Sequence, residues 1–380
     1  MPAAPTRDLV ICADGAGRAA AALAGLLEAD VLVLPGPTGA LARVRRRLAG
    51  DGIAAAVARM AAWLSARWQP GDRLWLFGQG DGAFAVRAFA ALLYRVGLLP
   101  ADAPAAAFRE AWRLLEGSAG HDLQRFRARH RLRSPGVHFL GLWDSPRCCG
   151  VLRPLDLPHL RHNPAVHVVR HAVAADERRG WLELMPWGWL ASDRQPNGKA
   201  LGLPAAVQSQ LAAQDVQEVL FAGRHADLGE PGHPALTWML AEAVLSGLRP
   251  SASGLQRLQQ HVRFGDAAPP PPPVRTLADR CADLLGRRVP GHRRAAWVRG
   301  PAPREPAALR RSAPWVGVHV SAPACARGVP AMPVPTRSRR ALAAALRRAR
   351  PPVQAPADPP DKPGPASVFL HRGRELTGST

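Results

Sequence analysis

The chain has almost no lysine or tyrosine. Lys199 and Lys362 are its two lysines, so arginine supplies the other 48 of 50 basic residues, and Tyr94 is the one tyrosine. Cysteine is sparse too: five residues, an odd number, with Cys148 and Cys149 adjacent and none at metal-type spacing. That count excludes a disulfide-stapled scaffold and offers no zinc ligand set. A reducing cytoplasm at synthesis, no metal and no cofactor are the expectation. No window of about 18 unbroken apolar residues occurs, which argues against a membrane-spanning helix. Met1 to Asp8 lacks a basic segment followed by an apolar one, so no secretory signal is expected.

The net charge of +21 looks like a nucleic-acid signal, yet it is uneven. Residues 1–273 carry 30 basic and 23 acidic residues, whereas 274–380 carry 20 and 6. The excess therefore sits in the C-terminal part. A basic extension can attract an anionic membrane surface nonspecifically. No interleaved aromatic stripe or nucleic-acid motif accompanies it, so no specific nucleic-acid partner is expected. The plainer reading is a solvated arginine-rich tail.

A composition that is 47% hydrophobic over 380 residues can build a sizeable core. Asp8 to Cys12, Asp30 to Leu34, Leu74 to Phe77, Val137 to Trp143 and Val216 to Phe221 are short apolar runs that read as strands. Ile53, Val57, Met60, Leu64 and Trp68 recur at helical spacing, which predicts an amphipathic helix over 52–68. Further helices are expected over about 83–96 and 234–247. Strands alternating with helices imply a parallel sheet covered on both faces. Residues 100–135 read as a helical, arginine-rich cap over the sheet's carboxyl edge. The five prolines Pro269 to Pro273 mark a linker over 266–275. The organisation expected is a domain over 1–265, a weakly patterned extension over 276–329 and a disordered Pro/Ala/Arg-rich tail over 330–380.

The strand Leu74 to Phe77 runs into Gly78-Gln79-Gly80-Asp81-Gly82, and an apolar helical pattern follows. Esterases place G-x-S-x-G at such a strand-to-helix turn, because the tight backbone lifts the serine Oγ into the site. Gly80 stands in the serine slot. Two later strand ends carry Asp144 and His225, in the order nucleophile, acid, histidine. Taken alone, a post-strand Asp is more often a turn residue and a histidine in a glycine-bounded loop is more often structural. Joint placement favours a site. Asp81, Ser145, Cys148 and Cys149 lie near enough in sequence to be weighed as substitute nucleophiles, but none sits at the elbow slot.

These stretches resemble the α/β-hydrolase family that includes the catalytic domains of type VI secretion phospholipase effectors of the first lipase class. Leu9 to Gly15 is similar to its opening strand and D-G-T-x-N loop, which places Asp14 and Gly15 in a loop able to line an oxyanion hole. Pro70 through Leu98 resembles its elbow segment, usually G-F-S-R-G-A. Phe139 to Ser145 resembles its W-D-T strand end. Arg170-His171-Ala172 with Asp176-Glu177-Arg178-Arg179 matches H-A-x-x-x-D-E-R-R, and Phe221 to Gly229, with Asp227, resembles G-x-H-x-D-V-G-G. The similarity spans about residues 8–250.

The resemblance implies an α/β-hydrolase-like fold and a serine esterase acting on lipid or another ester. It makes Asp144 the acid and His225 the base, and puts the nucleophile on Gly80. Ala16 and Arg18 also depart from the opening loop, and Glu230 replaces a late glycine. Losing a triad nucleophile removes on the order of a millionfold in rate. Asp176 to Arg179 reads as an ion-pair network on a helix or as a substrate clamp. Three functions stay open: a catalytically silent binding or regulatory protein, partnered by a secretion system or an active relative; a hydrolase using another nucleophile or activated water; and a basic peripheral protein. The resemblance leaves export by a type VI system open.

Overall fold

The computed structural model describes residues 6–15, 18–37, 52–117, 120–147, 149, 155–177, 182–188, 205–264, 316–318, 342–344 and 346. The elements in order are β1 (Asp8–Asp14), α1 (Ala19–Ala24), β2 (Asp30–Leu34), α2 (Ile53–Arg67), β3 (Arg73–Gln79), α3 (Asp81–Arg95), α4 (Ala105–Gly117), α5 (Gly120–Arg129), β4 (Val137–Trp143), β5 (Val166–Ala174), α6 (Ala205–Ala212), β6 (Asp215–Phe221), α7 (Pro234–Leu245), α8 (Ala252–Phe264) and β7 (Val316–Val318). The sheet runs β2-β1-β3-β4-β5-β6-β7, and every described pairing is parallel. β1 therefore lies between β2 and β3, so the strand order reverses there. In open parallel sheets such a reversal leaves a crevice at the carboxyl ends of the strands.

The continuous apolar runs follow from burial on both faces. In β1, Leu9, Ile11 and Ala13 face one helical layer while Val10 and Cys12 face the other. β3 repeats the pattern, with Leu74 and Leu76 on the first side and Trp75 and Phe77 on the second. The first layer is built on α2 and α3. Ile53, Val57, Met60 and Leu64 form the buried stripe of α2, as their spacing predicts. In the second layer Trp75, Phe139, Phe77 and Trp143 form an aromatic row beneath α7, with ring centroids 5.4 to 6.4 Å apart. Each such buried side chain contributes roughly 1.5–3 kcal/mol.

β5 goes beyond the sequence expectation. Its run is broken by His167, Arg170 and His171, so it does not read as an apolar strand. His167 is exposed, and the two buried side chains are tolerated because they are paired: Arg170 donates to Glu242 at 2.7 Å and to Asp215 at 2.6 Å, and His171 Nδ1 lies 2.7 Å from Glu218 Oε1. The insertion over 100–135 is helical, but the expected lid over the carboxyl edge is corrected. Arg95 Nε donates to Leu114 O at 3.1 Å and Arg127 donates to Arg95 O at 2.6 Å. Arg95 ends α3, about 22 Å of helix away from the elbow at its start. Trp112, Leu115 and Phe126 pack into the first layer, so α4 and α5 thicken that layer.

The expected proline-rich linker lies outside the described residues. Beyond it, β7 adds to β6 with Glu218 opposite Val316 and Leu220 opposite Val318. Two residues depart from the expectation of an unpacked tail. Leu342 and Leu346 are buried in the second layer, and their i, i+4 spacing puts them on one helical face. The remainder of 330–380 lies outside the described residues. A chain ending at 330 loses both leucines, about 3 kcal/mol or more. It is expected to melt roughly 6–12 °C below the full chain, at about 2–4 °C per kcal/mol for a domain of this size. A thermal melt of both chains checks this. Equal midpoints would show that the leucines contribute nothing.

Candidate active site

Three neighbouring strand ends meet at the reversal. Asp14 of β1 is level with Gln79 of β3, which is level with Trp143 of β4. The ladder continues past each end: Gly15 N–H donates to Gln79 O at 2.9 Å and Gly80 N–H donates to Trp143 O at 3.0 Å. Gly80 then turns with φ 57° and ψ −123° and caps α3. This backbone strains any residue with a side chain. The flanking glycines serve close approach instead. A Cβ at Gly78 would lie 2.6 Å from Gly82 O, and one at Gly82 would collide with the Ala13 carbonyl. The elbow geometry is thus intact.

Asp144 follows β4 with φ 46°, a left-handed conformation that aspartate tolerates better than most residues. Its Oδ1 accepts the Ala174 N–H at 3.1 Å, and its Oδ2 lies 2.8 Å from His225 Nδ1. Both side chains are buried. With Nδ1–H given to the carboxylate, the lone pair of the ring is on Nε2. A Cβ built on Gly80 would lie 2.7 Å from that Nε2 and 2.9 Å from Cε1. The expected acid and base are therefore assembled, and the base faces the nucleophile slot. Gly80 has no side chain to offer it.

Three carboxylates hold the histidine loop by its backbone. Gly223 N–H donates to Asp176 Oδ2 at 2.7 Å, Arg224 N–H to Asp227 Oδ2 at 2.7 Å and His225 N–H to Glu177 Oε2 at 3.2 Å. Asp176, Glu177 and Asp227 thus brace the histidine loop, but for Asp176 and Glu177 the expected form is corrected. They follow β5 in a turn, not a helix, and Asp176 and Glu177 bind peptide groups of the histidine loop. Arg178 and Arg179 lie outside the described residues. Gln79 braces the same loop, donating from Nε2 to His225 O at 3.1 Å while its Oε1 accepts the Ala19 N–H at 3.0 Å. Its flat amide packs on Gly229, where any Cβ would overlap it.

The reading of Asp14 and Gly15 as an oxyanion loop is corrected. Asp14 accepts the Ala20 and Ala21 N–H groups at 2.9 and 3.0 Å and caps α1. Burial pushes its carboxyl above the usual carboxylate range, against the pull of those two N–H groups. Gly15 N–H is taken by Gln79 O, because the β1–β3 ladder runs one residue further than the strand. Ala16 lies outside the described residues. Among the weighed substitutes, Ser145 and Cys149 are buried, and Cys149 Sγ lies 3.7 Å from Asp81 Oδ1. Cys148 lies outside the described residues.

A buried polar cluster beneath Asp144 has members that sequence reasoning missed. His171 Nδ1 lies 2.7 Å from Glu218 Oε1, which also accepts the Trp187 N–H at 3.0 Å. Arg87 of α3 is fully buried, donates to Leu160 O and Met185 O, and stands over the Trp187 ring. Burial pushes its guanidinium down to about 9. The signal for Glu218 was an acid in the middle of a strand, directly before the apolar run Val219-Leu220-Phe221. Beside the elbow, a cleft of about 120 Å³ is lined by Leu34, Pro35, Ala56, Arg59, Gly82 and Ala85 among others. Among the described residues no His, Cys, Asp and Glu group is placed to hold a metal ion. No described helix is long and apolar enough to cross a membrane.

The family model for the type VI secretion system phospholipase effector Tle1-like catalytic domain matches residues 7–246. An uncharacterized protein of Saccharomyces cerevisiae is 34% identical over 128 residues, covering 30% of this chain and 18% of its own length. The chain thus spans under a fifth of that relative. Among solved structures, an uncharacterized protein from Pseudomonas aeruginosa is 14% identical with a TM-score of 0.36, covering 65% of this chain and 46% of that one. The RedJ thioesterase of the prodiginine pathway in Streptomyces coelicolor is 19% identical with a TM-score of 0.26, covering 64% and 94%.

Proposed function

The chain belongs to the Tle1-like phospholipase effector catalytic-domain family of type VI secretion systems, and on that premise we propose that it binds an acyl ester or lipid without hydrolysing it through a serine triad. One observation carries the reading. Asp144 and His225 are paired at 2.8 Å, and the base nitrogen faces a position that Gly80 leaves without a nucleophile. A triad stripped of its nucleophile keeps substrate binding and whatever oxyanion contacts remain. The enclosure of Ser145 and Cys149 argues against either as a replacement. The cleft beside the elbow, mixed polar and apolar, sets Asp14 and Arg59 among Leu34, Pro35 and alanines, which suits a short acyl chain with an anionic or polar head. A basic C-terminal part that draws the protein to an anionic membrane fits the same reading, as does export by a type VI system.

Binding is tested with a fluorescent fatty acid titrated into the full chain. Saturable binding is expected, weakened at least about tenfold when Ala56→Trp fills the cleft. A titration without saturation, or one unmoved by the filled cleft, would remove the ligand from this site.

A further inference from the structure

Asp144 rests on a second carboxylate–imidazole pair to which the proposed function gives no role. His171 is fully enclosed in β5, and its Nε2 receives the Ser145 N–H at 3.1 Å. A ring nitrogen that accepts carries no proton. The hydrogen is therefore on Nδ1 and is donated to Glu218 Oε1, 2.7 Å away. Burial pushes His171 below the usual histidine range, against the pull of Glu218, and so favours that neutral ring.

The peptide that His171 grips follows the strained residue directly. Asp144 keeps its left-handed φ because its neighbours hold the turn: Asp144 N–H donates to Ala172 O at 2.8 Å, Ser145 N–H to His171, and Met185 N–H to Ser145 O at 2.9 Å. Ser145 is held through its main chain, since its buried Oγ has no hydrogen-bond partner among the described residues. Left-handed aspartate is strained and persists only where its surroundings over-determine it. Of these bonds, the one to His171 is made by a side chain.

We infer that His171, oriented by Glu218, is a positioning residue that fixes the carboxylate of Asp144 and through it the ring of His225. The inference rests on reading Asp144 and His225 as the working pair of the site. Removing the imidazole frees the Ser145 peptide and lets Asp144 leave its strained turn. The carboxylate then no longer meets Nδ1 of His225.

The test is the His225 Nδ1–H proton, followed by NMR in full-length protein labelled at histidine nitrogens. In the unaltered chain it is expected as a slowly exchanging downfield resonance, and Asp144→Ala should abolish it. His171→Leu should speed its exchange with water at least about tenfold while the fold is kept. His171→Gln, whose amide can both accept from Ser145 and donate to Glu218, should restore the slow exchange. If the leucine variant does not fold, His171→Asn, too short to reach the Ser145 N–H, takes its place with the same expectation. Unchanged exchange in a folded leucine or asparagine variant overturns the positioning role. So does a glutamine variant that exchanges as fast as the leucine one, because lost ring packing would then be the cause. A resonance that survives Asp144→Ala overturns instead the reading of the pair itself.

Discussion

Gly80→Ser is expected to make the protein react with a labelled fluorophosphonate, where the unaltered chain does not. The elbow backbone is in place, since Gly78 and Gly82 allow the close approach and Gly80 already has φ 57°. Asp144 and His225 are paired and aimed at the slot. Three costs make the recovery partial. A serine Cβ lies 2.7 Å from His225 Nε2, so the imidazole must give way by several tenths of an ångström. The strained backbone costs the folded state about 1–3 kcal/mol. The Gly15 N–H, taken by Gln79 O, is also absent from any oxyanion hole, a loss worth about 10²–10³ in rate. Labelling should be slow yet clear, and His225→Ala in the same chain should abolish it. A folded variant that is never labelled means that His225 cannot retreat from the slot.

The second large effect concerns stability. Glu218→Ala is expected to destabilise the fold by about 3–5 kcal/mol, the range for removing one partner of a buried charged group. The loss strands the His171 Nδ1–H and the Trp187 N–H, and it leaves the Arg87 guanidinium without the carboxylate whose charge offsets part of its burial. Glu218→Gln keeps an acceptor oxygen for both N–H groups and should cost less, about 1–3 kcal/mol. Urea denaturation of the three chains gives the comparison. An alanine variant as stable as the unaltered protein would show that waters or neighbours already satisfy the cluster.

Much of this was legible in the chain, for identifiable reasons. β2 and β4 were readable to the residue because both are apolar runs closed by Pro35 or by Asp144-Ser145. The elbow was readable because three glycines at alternating positions have few other uses between a strand and a helix. What escaped depends on pairing at long range. β5 carries Arg170 and His171 within the sheet, and their partners Glu242, Asp215 and Glu218 lie 72, 45 and 47 residues away. Asp176, Glu177 and Asp227 were visible as a signature, but their role required seeing which peptide groups they reach. That Gly15 gives its N–H to one extra ladder bond with Gln79 O cannot be read from residue types. Leu342 and Leu346 sit in a Pro/Ala/Arg-rich stretch whose composition outweighs two apolar residues.

The most direct measurement is turnover of short-chain and long-chain acyl esters, and of a phospholipid, by the purified full chain beside its His225→Ala variant. The two proteins are expected to be indistinguishable from each other and from buffer, because the base at His225 has no hydroxyl at position 80 to activate. Turnover above background in the unaltered chain that His225→Ala abolishes would contradict this, and would mean that the dyad drives hydrolysis through a nucleophile other than a serine at the elbow.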